Sequence, residues 1–197
     1  MPDAQRDAAR AQDAALVRKA QRGDADAFGD LVRAYQRRAM SVAYRLLGRV
    51  EDARDVSQDA FVRAYRSLGQ LDDPTRFGAW LLKTVCNLAL NYRRSRARHA
   101  MPSIDDDRGD GSSLDPADRE SRDLATGQEP ISAELRGAID EAMKRLPDKQ
   151  RLALILFSVE GMPQKEVAEV LECSVELVKW NVFQARQKLR EALSDLM

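Results

Sequence analysis

The chain has 197 residues, 44% of them hydrophobic and 32% charged, with Lys+Arg and Asp+Glu balanced at 32 each. That supplies two small cores, while no apolar run approaches a membrane span or a signal-peptide core, so the composition predicts a cytoplasmic protein with no membrane insertion. The zero net charge hides a segregation: residues 83–98 hold five basic residues and no acid, and residues 105–134 hold ten acids against three arginines. Such asymmetry points to partners of both signs.

Strand signals are nearly absent and helical periodicity runs along most of the chain, so the fold class is all-α. A first helix is predicted over 13–22, then a break at Gly23-Asp24, then a helix over 25–47 with Gly48 as its stop. The next helix, 51–68, has Asp52 capping or charging its start and sets Val56, Ala60, Phe61, Ala64, Tyr65 and Leu68 on one side. Residues 69–75, containing Asp72-Asp73-Pro74, read as a loop.

A long helix over 76–98 carries two stripes. Phe77, Leu81, Val85, Leu88 and Tyr92 must face a core. Lys83, Asn87, Asn91, Arg94 and Arg98 recur at i, i+4, i+8, i+11 and i+15, where cations suit phosphates and amides reach base edges or sugars. A solvated face is the bland alternative, but cations and amides without acids are unusual in so Asp-rich a chain, which favours nucleic acid. Trp80 borders this stripe, either as a core tryptophan with its N–H satisfied, the commoner case, or as a stacking platform for an unpaired base.

From residue 99 to about 130 the periodicity gives way to Asp, Gly, Ser and Pro, the composition of a flexible acidic linker. A coil of this length spans roughly 30 Å, and ~105 Å when fully extended. Asp105-Asp106-Asp107 reads there as a solvated charge run rather than a metal site. His99 has no His or Cys pattern around it and reads as a loop residue, and Cys86 and Cys173 lie far apart, as reduced thiols rather than a disulfide. No cofactor or metal is expected.

Four more helices are predicted over 132–145, 148–160, 163–171 and 175–193. Pro163 suits a first-turn position and Val167, Ala168 and Leu171 share one face. Glu172-Cys173-Ser174 breaks the pattern, and Ser174 is a good N-cap for the last helix. That helix is expected to bury Leu177, Val178, Val182, Ala185 and Leu189 and to turn Lys179, Arg186, Lys188 and Arg190 to solvent. This is a helix-turn-helix with a basic second helix, the shape that enters a major groove of duplex DNA. On spacing alone, a plain helical hairpin with solvated charges is the alternative.

Three segments, in order, carry a resemblance. Asp52-Ala53-Arg54-Asp55-Val56-Ser57-Gln58-Asp59-Ala60-Phe61 resembles a "DAEDxxQExF" motif. Phe77-Gly78-Ala79-Trp80-Leu81-Leu82-Lys83-Thr84-Val85-Cys86-Asn87, with Asn91-Tyr92-Arg93-Arg94, resembles "FxxWLxxIAxN…RR". Leu146-Pro147 with Arg151, Gln164-Lys165-Glu166-Val167-Ala168, and Val178-Lys179 through Ala185-Arg186 to Leu189-Arg190 resemble a DNA-binding C-terminal domain. Together they are similar, over nearly the whole chain, to the extracytoplasmic-function (ECF) group of bacterial RNA polymerase sigma factors. The absence of the extra domains of primary sigma factors favours this compact group.

The resemblance implies two helical domains: a region-two-like bundle over residues 13–98 and a region-four-like helix-turn-helix domain over 132–197, joined by the acidic linker over 99–131. It implies a transcription initiation factor without catalytic activity, binding core RNA polymerase through Asp52, Asp55, Gln58 and Asp59. Loop 69–75 with Trp80, Lys83, Asn87, Asn91, Arg94 and Arg98 would capture the opened minus-ten element. Ser174, Glu176, Lys179, Trp180 and Arg186 would contact the minus-thirty-five element. The two elements lie roughly 50 Å apart, a span that suits two tethered domains better than one rigid one. The acidic linker is expected to act as a nucleic-acid mimic in a positively lined polymerase channel. The free protein is expected to be a monomer, with a cognate anti-sigma factor that holds the domains in an occluded arrangement.

Three positions depart from the family pattern. Arg54 stands where an acid is usual, Met162 stands where a Ser or Thr would cap the first helix of the helix-turn-helix for ~1 kcal/mol, and Trp180 stands where a small Ser or an Arg is common. Other classes have weaker support: a helix-turn-helix regulator that does not dock on core polymerase, a two-component-style activator lacking its sensing domain, or a DNA-cleaving enzyme with a metal at Asp105–Asp107.

Overall fold

The computed structural model describes residues 3–99 and 133–194; the acidic linker, with Asp105, Asp106 and Asp107, lies outside the described residues. Among the described residues every regular element is helical. Helix α1 (Asp3–Gln21) begins ten residues before the predicted start at 13. Its early turns lack an apolar stripe, but they are built from Ala, Gln and Arg, whose helix propensity carries the segment. Among the side chains described, those of Ala14, Val17 and Ala20 in its later turns are buried.

Helix α2 (Ala25–Leu47) is bounded as the sequence predicts. Asp24 caps it by accepting from the Ala27 N–H at 3.0 Å, and Gly48 ends it at φ 74, where its N–H donates to the Tyr44 carbonyl at 2.7 Å. That left-handed conformation favours glycine. Helix α3 (Val50–Ser67) has no side-chain cap. Of the two roles expected of Asp52 it takes the second: it does not cap the helix but charges its first turn, and it bonds across to the next long helix, as described below.

The predicted loop after α3 is more ordered than expected. Two 3₁₀ turns, Leu68–Gln70 and Pro74–Arg76, occupy it. Gln21 at the end of α1 donates to the carbonyls of Leu68 and Leu71 at 3.0 and 3.1 Å, and Asp73 accepts from the Thr75 N–H at 3.0 Å. Helix α4 (Phe77–His99) follows and includes His99, so that residue ends a helix instead of lying in a loop. Leu31, Val42, Phe77, Leu81, Leu82 and Val85 fill the core of this N-terminal unit.

The C-terminal unit comprises α5 (Ala133–Arg145), α6 (Asp148–Leu154), α7 (Gln164–Val170) and α8 (Val175–Ala192). The single helix expected over 148–160 changes register: α6 runs into a π turn, Ile155–Val159, closed by the Glu160 N–H donating to the Ile155 carbonyl at 3.0 Å. Pro163 takes the cap position of α7 itself, and Met162 is buried, so Met162 serves the core and not the cap.

The two units pack on each other, and their buried residues form one contiguous cluster. Arg151, 2% exposed, is the polar rivet. Its guanidinium donates to the carbonyls of Lys144, of Leu146 at 3.0 Å and, across the junction, of Leu46 in α2 at 3.5 Å. Burial, with the nearby Arg93 charge as a second cause, pushes its pKa down to about 10.

Candidate nucleic-acid interface

Helix α8 is set on the C-terminal unit by its cap and its buried face. Glu172 adopts φ 52 in the turn after α7, and Ser174 then accepts from the Leu177 N–H at 3.2 Å. The Ser174 hydroxyl is thus engaged in the cap. Val178, Asn181, Val182 and Ala185 are buried, with the Asn181 amide donating to the Leu177 carbonyl at 2.9 Å. Leu177, expected in the core, is 37% exposed, because it lies just beyond the buried arc, whose edge Asn181 fills instead.

The outward midline of α8 is Glu176, Trp180, Phe183 and Gln187, spaced i, i+4, i+7 and i+11, and all four are exposed. Lys179, Arg186 and Arg190 run along one flank. Arg186 is held in place by a 3.0 Å hydrogen bond to the Ser158 hydroxyl and by the Phe157 ring, 5.8 Å from its guanidinium carbon. Of the expected contact set, Glu176, Lys179, Trp180 and Arg186 lie on the exposed side of one helix, whereas Ser174 stands before it as its cap. Phe183, 63% exposed, was missed. The signal was in the periodicity itself: Phe183 falls outside the stripe of Val178, Val182, Ala185 and Leu189, on the side of Trp180.

Helix α4 gathers the second set. Trp80 is half-buried with its ring 6.1 Å from that of Phe77, which makes it a packed side chain at the edge of the stripe. Asn87, Asn91, Arg94 and Arg98 are exposed. Lys83 donates to Glu172, in the turn before α8, at 2.7 Å, and this bond holds the Glu172 carboxyl below its usual range. Arg76 likewise pairs with Glu169 of α7, Arg10 with Glu166, and Arg38 with Glu160 at 2.7 Å. Arg93 meets Asp148 at 2.5 Å. Tyr92, expected in the core, is 37% exposed because its hydroxyl reaches out to donate to Asp52 at 2.7 Å.

Below the loop 69–75, a cavity of about 660 Å³ opens between the units, lined by Arg10, Asp13, Tyr35, Arg38, Arg76 and Glu160 among others. The Tyr35 hydroxyl donates to Asp13 at 2.5 Å, and burial raises both pKa values. Gly78 makes room here: a Cβ would stand 2.6 Å from the Tyr35 hydroxyl oxygen, so a larger residue would displace that ring.

The acid-rich turn of α3 divides. Asp52 points to α4, bonded to Tyr92 and, at 3.0 Å, to Arg96, whereas Asp55, Gln58 and Asp59 are exposed. Beside Gln58 runs an open groove of about 1150 Å³ between α2 and α3, walled by Phe28, Val32, Met40, Phe61, Val62 and Tyr65. Val62 and Tyr65 are 41% and 53% exposed, so Tyr65 lines the groove and not the core. Arg37, Arg54 and Arg66 rim it. The legible signal was Val62, an apolar residue on the otherwise polar side of α3.

Both thiols are free. Burial pushes Cys86 up to about 12, so it is unreactive at neutral pH. Among the described residues no group of three His, Cys, Asp or Glu side chains could hold a metal, and no helix is long and apolar enough to cross a membrane.

Comparison with known proteins bears on these surfaces. Residues 31–99 match the family model for Sigma-70 region 2, and residues 136–189 match Sigma-70, region 4. The chain is 31% identical to the RNA polymerase sigma-H factor of Pseudomonas aeruginosa, over 94% of this chain and 96% of that one. It is also 31% identical to the ECF RNA polymerase sigma factor SigW of Bacillus subtilis, over 91% and 96%. Among solved structures, CnrH in complex with the cytosolic domain of CnrY superposes with a TM-score of 0.65 at 29% identity, over 93% of this chain and 98% of that one.

Proposed function

The chain belongs to the extracytoplasmic-function RNA polymerase sigma factors and is a transcription initiation factor, and we propose that its N-terminal unit docks on core polymerase and captures the opened minus-ten element while its C-terminal unit reads the minus-thirty-five element. One observation carries this division: the α2–α3 groove and the outward face of α8 both stay open while the two units are packed together. An apolar groove with an arginine rim suits an amphipathic, acidic helical element of polymerase. Gln58 supplies a polar contact in its lining, and the exposed Asp55 and Asp59 supply others from the same helix. Asp52 acts behind them, fixing α3 against α4.

On α4, Asn87, Asn91, Arg94 and Arg98 are free to meet the separated strand, with Trp80 at the border. Lys83 joins them once it leaves Glu172. Reaching both elements, roughly 50 Å apart, requires the units to separate. The thirty-odd residues between α4 and α5 can span ~105 Å when extended, which suffices. The family resemblance supports a cognate anti-sigma partner that holds the units together, and the similar protein CnrH is itself found in a complex, with the cytosolic domain of CnrY. We assign the protein no reaction of its own and place it in the cytoplasm with polymerase.

The test is transcription in vitro with purified core polymerase from a pool of genomic promoters. Start sites that appear only when the protein is added are the expected result and yield the promoter sequence directly. DNA binding without new transcripts or polymerase co-purification would leave a simple DNA-binding regulator.

A further inference from the structure

The midline of α8 is aromatic where a DNA-reading helix would ordinarily be judged by its cations. Trp180 and Phe183, 52% and 63% exposed, sit at its centre, with Glu176 one turn before and Gln187 one turn after. Lys179, Arg186 and Arg190 occupy a flank. A helix about 10–12 Å across fills a major groove about 12 Å wide, so its midline meets base edges and its flanks meet the phosphate walls. On the major-groove edges of the four base pairs, the thymine C5-methyl is the apolar group. Reading guanine takes a bidentate cation at the centre. The midline offers none, and Arg186 is tied back to Ser158.

We propose that Trp180 is the specificity-determining residue of α8 and reads the upstream element by apolar contact with thymine C5-methyl groups, the flanking cations holding phosphates without choosing sequence. This inference rests on α8 entering the major groove, as proposed above. It gives the exposed indole a defined ligand, and Phe183 extends the same apolar strip along the groove. The expected element carries thymine opposite the middle of the helix.

The experiment uses the full chain with core polymerase on a promoter obtained from the transcription assay. The upstream element is first located by footprinting. Each of its thymines is then replaced singly by deoxyuridine, which lacks only the methyl group, and affinity is measured by competition. Removing one contacted methyl should weaken binding about fourfold, the equivalent of one buried methylene. Trp180→Ala should bind the thymine and uracil duplexes equally, while Lys179→Ala should weaken both by the same factor and keep their ratio. Trp180 is exposed, so the variant should fold, and unchanged polymerase affinity verifies this. The inference is overturned if no thymine responds, or if Trp180→Ala keeps the wild-type ratio. It is also overturned if Trp180→Ala instead lowers polymerase affinity, which would make the aromatic strip a protein-docking surface. A wild-type chain that drives transcription yet protects no upstream element would sink the groove-entry reading itself.

Discussion

Helices α4 and α8 are both long, basic and amphipathic, yet one meets an acidic neighbour and the other meets solvent. Glu169 and Glu172 of the C-terminal unit hold Arg76, in the turn before α4, and Lys83 at the near end of α4, and Asp148 holds Arg93 farther along. On α8, Lys179 and the Glu176–Gln187 midline are exposed. The difference lies in what packs against each helix rather than in its own composition. Five ion pairs bridge the junction; those of Arg76, Lys83 and Arg93 are part-solvated and individually weak, while the Glu160 carboxylate that holds Arg38 is buried. A cation already paired must exchange one anion for another before it can bind phosphate, whereas an exposed one binds directly.

The largest expected effect lies on α8. Lys179→Glu should lower binding to the upstream element about a hundredfold through lost attraction and added repulsion, with polymerase affinity intact; competition binding and polymerase pull-down read the two. Loss of both would indicate misfolding. On α4 the largest expected effect is structural. Gly78→Ala forces a Cβ against Tyr35 and should cost about 2 kcal/mol, read as a lowered denaturant midpoint. An unchanged midpoint would mean that Tyr35 swings away freely.

Asn87→Ala removes an exposed amide and should slow promoter opening ~tenfold, measured by permanganate reactivity, while duplex affinity changes little. Equal losses in both would argue against strand capture. Smallest, Glu169→Lys with Glu172→Lys should free the α4 cations and raise the free chain's affinity for single-stranded DNA a few-fold, an effect that fades with salt. No change at low salt would show that these pairs do not mask the helix.

Much of this was legible in the residues. Asp24, Gly48 and Ser174 set helix ends by local chemistry, and each acts in the fold as its side chain or backbone freedom predicts. The exceptions share a cause. Tyr65, Tyr92 and Leu177 each lie at the margin of an apolar arc, where the neighbouring elements decide whether the side chain is buried, bonded or left open. The groove between α2 and α3 is a property of two helices, and periodicity within either one does not report it.

By itself, then, the sequence determined the all-α fold, the near-exact spans of most helices and the sigma-factor family, because those follow from patterns local in the chain and from motifs kept in order. Only the tertiary structure decided which cations are paired, that Arg151 rivets the two units through backbone carbonyls, and that Trp180 and Phe183 rather than arginines centre the outward face of α8. The physical reason is that pairing and exposure depend on residues brought together from distant parts of the chain, whose distances no single segment encodes.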